Sequence, residues 1–213
     1  MPNVIQPQSQ HTITHFHYKG KWNEVFFRND KPVILEVGCG KGEYTTGLAR
    51  VFPGANFIGI DIKGDRIWKG AKEALSEGLH NVAYLRIQAE HINIFFGENE
   101  ISGIWLTFPD PQPRKARTKK RLTSPWFLER YRKLLKPGSP IQLKTDDAGL
   151  YAYTLEVIAE NKHSLSYHTA DLYNDPHLDS FPLKEIQTFY ERKFLKEGKP
   201  IHYIRFSLHE QER

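Results

Sequence analysis

Apolar residues in this chain fall into short unbroken runs separated by stretches of helical period. The run PVILEVG, residues 32–38, has no polar alternation and ends in glycine, the signature of a strand buried on both faces. A helix is predicted from Glu43 to Phe52, stopped by Pro53-Gly54. NFIGIDI (56–62) reads as a second strand. GDRIWKGAKEALSEG (64–78) places Ile67, Ala71, Ala74 and Leu75 on one helical face, with Gly78 as its stop. NVAYLRI (81–87) and GIWLTF (103–108) predict the third and fourth strands. Ser124-Pro125 supply an N-cap and a first-turn proline for a helix through Leu135, closed by Pro137-Gly138. IQLKTD (141–146) predicts a fifth strand and GLYAYTLEVIAEN (149–161) a further helix. SLSYHTADLY (164–173) and IHYIRFSL (201–208) predict two late strands around a loop and a short helix near 185–197.

Strands alternating with helices imply a parallel sheet covered on both faces. The late strands lack a long helix between them and predict a hairpin-like antiparallel addition. The expected fold class is therefore α/β: a doubly wound, Rossmann-like sheet, mostly parallel with a late antiparallel strand. Residues 1–30, whose first 20 carry two prolines and three histidines, read as a loosely ordered N-terminal arm. Residues 31–213 read as one domain, which a chain of 213 residues with 39% hydrophobic content can fill.

No apolar run approaches the ~20 residues that span a bilayer. The N-terminus lacks the charged-then-apolar pattern of a secretory signal, so a cytoplasmic location without membrane attachment is expected. A lone cysteine, Cys39, excludes an internal disulfide and a Cys-rich zinc site. The histidines at 11, 15 and 17 read as arm residues, and no metal is expected. Trp22, Trp68, Trp105 and Trp126 are expected to pack. The net charge of +5 is modest, but its distribution is uneven. Residues 114–121, RKARTKKR, hold Arg114, Lys115, Arg117, Lys119, Lys120 and Arg121 with no acid, a patch that attracts polyanions.

The first strand leads into E-V-G-C-G-K-G, with Glu36, Gly38, Gly40 and Gly42. Glycines there permit a tight turn and close approach of a ligand. The dinucleotide fingerprint fails because its sixth position is Glu43, and no phosphate-gripping P-loop occurs. Asp61 closes the second strand, placed to accept hydrogen bonds from ribose hydroxyls. Glu36 is unhelpful to a pyrophosphate and suits a cation such as the methionine moiety of S-adenosylmethionine. The pattern points to a methyltransferase. Gln88, ending the third strand, is placed to meet an adenine edge. Phe108-Pro109-Asp110 ends the fourth strand at the carboxyl edge, which puts Asp110 beside the methyl donor.

ILEVGCGKGEY, FIGIDIKGDRI, FPDPQPRKARTKKRL, LKTDDAGLYAY and TFYERKF follow the order and spacing of the bacterial tRNA (guanine-N7-)-methyltransferase family, which the chain resembles over about residues 32 to 206. The resemblance implies transfer of a methyl group from S-adenosylmethionine to N7 of guanine at position 46, in the variable loop of tRNA, leaving S-adenosylhomocysteine. It implies cofactor contacts at Glu36, Asp61, Gln88 and Asp110, with Asp110 at the position held to be catalytic. Substrate contacts are implied at Arg114, at Asp146, and at Thr188, Phe189, Tyr190 and Glu191. The chain departs from the family pattern at Gln88, where Asp or Asn is commoner, and at Gln112, Arg114 and Ala116-Arg117, which replace Trp, Lys and Arg-His. Lys115, Arg117, Lys119, Lys120 and Arg121 are expected to hold tRNA phosphates. The partner expected is tRNA, and the protein monomeric or homodimeric. Alternatives of other kinds are a methyltransferase acting on a small molecule and a catalytically silent RNA-binding subunit.

Overall fold

A computed structural model describes residues 1–7, 16–178 and 182–209; His11 and His15 lie outside the described residues. Strands β1 (Val4–Ile5), β2 (Val33–Val37), β3 (Asn56–Asp61), β4 (Val82–Arg86), β5 (Ile101–Thr107), β6 (Pro140–Thr145), β7 (Ser164–Thr169) and β8 (His202–Ser207) form one sheet. Its order is β1-β4-β3-β2-β5-β6-β8-β7. Helices α1 (Glu43–Val51) and α2 (Gly64–Ser76) cover one face. Helices α3 (Ile92–Phe95), α4 (Pro125–Leu134) and α5 (Ala148–Glu160) cover the other, and α6 (Phe189–Lys196) precedes β8.

The central strands β2 to β5 are buried along almost their whole length, as unbroken apolar runs require. The caps form as predicted: the Ser124 hydroxyl accepts from the Phe127 amide, with Pro125 opening α4. Asp147 caps α5 through the Leu150 amide at 2.6 Å. The late strands pair with each other, but β8 inserts between β6 and β7 and runs antiparallel to both. The strand expected over 164–173 ends at Thr169. On α2, Leu75 is exposed rather than buried. Gly70 takes the buried position instead, so close to the first turn that a Cβ would stand 2.6 Å from the Lys41 carbonyl.

Parts of the N-terminal arm, expected to be loosely ordered, pack against the sheet and core. Val4–Ile5 extend the sheet beside β4, and the Asn3 side-chain Nδ2 donates to the Ala71 carbonyl at 3.0 Å. Trp22 opens a π-helical turn, Trp22–Phe27, is fully buried and stacks on Phe96. Its indole donates to the Phe95 carbonyl at 3.0 Å, and Glu100 accepts from the Gly20 and Trp22 amides. Phe16, Tyr18, Phe26 and Phe27 pack against the same core, so aromatic burial outweighs the polar composition of the segment. Trp105 is buried as expected, whereas Trp68 is 53% exposed, against the expectation that it packs.

Candidate active site

The winding of the sheet reverses between β2 and β5, so the loops at the carboxyl ends of β2 to β6 surround a crevice where open α/β sheets take ligands. Gly38, Gly40 and Gly42 all adopt left-handed backbone, which glycine enters without steric cost. The turn is tied to the end of β3. The Gly38 and Cys39 amides donate to the Ile60 carbonyl, and the Gly40 amide to Asp61 Oδ2 at 2.9 Å. The Lys63 amide donates to the other Asp61 oxygen at 2.8 Å. Tyr84 backs the turn so closely that a Cβ on Gly42 would stand 2.5 Å from the phenol oxygen.

Two cavities meet at Gly38. One, of about 430 Å³, is walled by Asp61, Gln88, Glu90, Lys120 and Leu122. The other, of about 330 Å³, is walled by Lys41, Arg66, Phe108, Thr188, Phe189 and Tyr190. Four predicted cofactor residues, Gly38, Gly40, Asp61 and Gln88, thus stand together. Glu36 lies beneath the turn, 2% exposed, and its carboxylate accepts from the Thr45 and Thr107 hydroxyls. Burial pushes its pKa up to about 7, against the pull of those hydroxyls.

Phe108 leaves β5 in left-handed backbone, an uncommon state for a bulky residue, held by its amide donating to the Lys144 carbonyl at 2.8 Å. Two residues on, Asp110 is exposed and lines neither cavity; Oδ1 accepts from the Gln112 amide at 2.9 Å. The basic run becomes a short 3₁₀ helix, Lys115–Lys120. Arg114, Lys115, Arg117, Lys119 and Lys120 are exposed. Arg121 turns inward, donating to the Pro111 carbonyl at 3.0 Å and lying 4.3 Å from the Tyr153 ring. Its position braces the Pro-Asp-Pro loop.

The two late motifs divide between the site and its supports. Asp146 is half-buried, with Lys199 Nζ 3.6 Å away. Lys144 and Glu191 are both fully buried and pair at 2.5 Å; Lys144 also donates to the Leu183 carbonyl, and Tyr173 to Glu191. Burial lowers the lysine pKa and raises that of the glutamate, and their mutual attraction opposes both shifts. Thr188 and Glu191 form a capping box that opens α6. Thr188, Phe189 and Tyr190 therefore face the smaller cavity, while Glu191 faces the interior.

Sequence reasoning missed Lys41, Glu43, Arg66 and Lys144. Glu43 accepts from the Phe189 amide at 2.7 Å and from Arg192 at 3.0 Å, and Lys41 Nζ lies 4.6 Å from the Phe189 ring. These contacts join segments 146 residues apart, and nothing local announces them. Thr-x-x-Glu at 188–191 was readable as a capping box, and a lysine inside a buried strand calls for a buried counter-ion.

A family model described as "Putative methyltransferase" matches residues 30–204. A tRNA (guanine-N(7)-)-methyltransferase of Christiangramia forsetii is 52% identical over 207 residues, covering 97% of this chain and 92% of that one. The enzyme of the same name from Bacteroides thetaiotaomicron is 49% identical, covering 97% and 81%. Among solved structures, the 16S rRNA methyltransferase KamB shares the fold with a TM-score of 0.66 at 17% identity, covering 88% of this chain and 92% of that one. The length and identity of the sequence matches settle the family: this chain belongs to the tRNA (guanine-N(7)-)-methyltransferases.

Proposed function

We propose that this enzyme transfers the methyl group of S-adenosylmethionine to N7 of guanine 46 in the variable loop of tRNA. The observation that carries the reading is the pair of cavities meeting at the glycine turn, edged by a run of exposed cations. The matched relatives bear the corresponding name.

The residues present suit the cofactor. Asp61 offers a carboxylate to ribose hydroxyls, Gln88 an amide to an adenine edge, and the glycines leave the backbone open to close approach. Bound S-adenosylmethionine supplies a methyl group on a positively charged sulfonium. Glu36 acts from beneath the turn through its field, favouring a cation above it.

Guanine N7 carries an exposed lone pair, so no proton leaves before attack and no general base is needed. The enzyme's tasks are alignment and electrostatics. Asp110 or Asp146 accepts hydrogen bonds from guanine N1–H and the N2 amino group, which selects guanine over adenine. Thr188, Phe189 and Tyr190 shape the acceptor side. Glu191 acts through them by fixing α6. The exposed cations hold phosphates and position the RNA without reading its sequence.

Labelled S-adenosylmethionine with an unmodified transcript, followed by reduction and aniline cleavage, tests the reading. Label and cleavage at guanine 46, lost when that base is adenine, are expected. Asp110→Ala should lose about 100-fold or more in turnover while melting as the wild type does. Absence of label with cofactor binding intact would overturn the reading, and full activity of Asp110→Ala would remove Asp110 from it.

A further inference from the structure

A third cavity, of about 590 Å³, opens between the N-terminal strand and the start of α2, outside the proposed methyl-transfer site. Met1, Ile62, Trp68 and Arg86 are among its walls. Of the eight large apolar side chains exposed among the described residues, three line it: Met1 at 45%, Ile62 at 46% and Trp68 at 53%. Such clustering of exposed apolar groups marks a surface that something covers. Ile62 also walls the 430 Å³ cavity, so the two openings share a side of the sheet and one partition.

The charge around this cavity identifies its occupant. Lys63, Arg66, Lys69 and Lys72 are exposed along or just before the first turns of α2, against one acid, Asp65, in the same stretch. Lys72 Nζ stands 5.1 Å from the Trp68 ring, and Arg86 lines the cavity, one nitrogen donating to the Ile62 carbonyl at 3.1 Å. Arg66 also lines the 330 Å³ cavity, so these cations continue from the site itself. An aromatic plane among cations is how proteins take an unstacked base and its phosphate.

We propose that this cavity binds a nucleotide of the RNA substrate, its base against Trp68 and Ile62 and its phosphate beside Lys63 and Arg86. The proposal rests on the tRNA reading for the identity of the RNA. It gives the enzyme a second hold on the polymer, made by residues other than the basic run. Such a hold would fix the RNA about the target guanine at two places.

The test measures tRNA affinity by filter binding, in S-adenosylhomocysteine, for wild type, Trp68→Ala and Trp68→Phe. Stacking contributes about 1–3 kcal/mol per base, so Trp68→Ala should weaken tRNA binding roughly 5- to 150-fold. Trp68→Phe should keep most of the affinity. Cofactor affinity and melting temperature should stay at wild-type values in both variants, because the side chain is exposed. Trp68→Ala binding equal to wild type would overturn the proposal. So would a wild-type chain that binds no tRNA, or a change of oligomeric state in Trp68→Ala, which would make the patch a contact between copies. Trp68-dependent tRNA binding without methylation of guanine would uphold the cavity and count against the methyl-transfer reading alone.

Discussion

Glu191 separates two kinds of role, because the motif containing it is expected to touch substrate while its carboxylate is buried against Lys144. Glu191→Gln tests this with little change of shape. The amide oxygen can still accept from the Thr188 amide, so the capping box survives, since Gln serves at that position as Glu does. What is lost is the negative charge 2.5 Å from a lysine with no exposure, together with the oxygen that accepts from Lys144 and Tyr173. Removing one member of a buried pair costs about 3–5 kcal/mol, because the other is left uncompensated. The remaining bond from Lys144 to the Leu183 carbonyl places the expected loss at the lower end. For a domain of this size each kcal/mol moves the midpoint by about 2–4 °C, so a fall of about 6–12 °C is expected by differential scanning calorimetry.

Two controls follow from the same pair. Lys144→Met combined with Glu191→Gln removes both charges and should recover much of the loss. Without its partner, Lys144 has a folded pKa further below its unfolded value. The unfolded chain then binds more protons, so the deficit should shrink as pH rises towards the ordinary lysine value of about 10.4. A Glu191→Gln protein that melts within about 2 °C of wild type yet fails to methylate tRNA would refute the reasoning. Glu191 would then be acting on the substrate.

Glu36 has a folded pKa raised from 4.5 to about 7, so its ionisation opposes folding. Between those values the folded chain holds a proton that the unfolded chain has lost, and stability falls by about 1.4 kcal/mol per pH unit, about 3 kcal/mol in all. Urea titrations at pH 5 and pH 8 should show that loss in wild type and its absence in Glu36→Gln; equal pH dependence in the two proteins would refute it. Glu43→Ala and Arg192→Ala remove a half-exposed clasp and should lower the melting point little, since such pairs contribute about 0.2–1 kcal/mol. Each should nevertheless lower kcat/KM for tRNA roughly ten-fold by displacing Phe189 and Tyr190, and the double variant should lose no more than either alone. Wild-type kcat/KM in Glu43→Ala would show that the clasp positions nothing.

The alternation of buried strands and helices, the caps at Ser124 and the glycine turn were legible because each is a local property of the chain. A strand buried on both faces must be apolar throughout, and a turn that needs left-handed backbone needs glycine. Asp61 and Gln88 followed by position, since strand ends in a doubly wound sheet face one crevice. Other features depended on partners far along the sequence. Trp22 is buried because Phe95 and Phe96 wait for it more than 70 residues on, and a segment that looks polar is thereby fixed to the core. The insertion of β8 between β6 and β7 is a choice among pairings that strand pattern alone leaves open. The acids divided in the same way. The family resemblance grouped Asp110, Asp146 and Glu191 in function, but only the folded chain decides how deeply each carboxylate is buried and what it pairs with. Burial of Lys144 demands a counter-charge, and Glu191 supplies it from the far side of a loop, while Asp110 stays exposed and Asp146 half-buried.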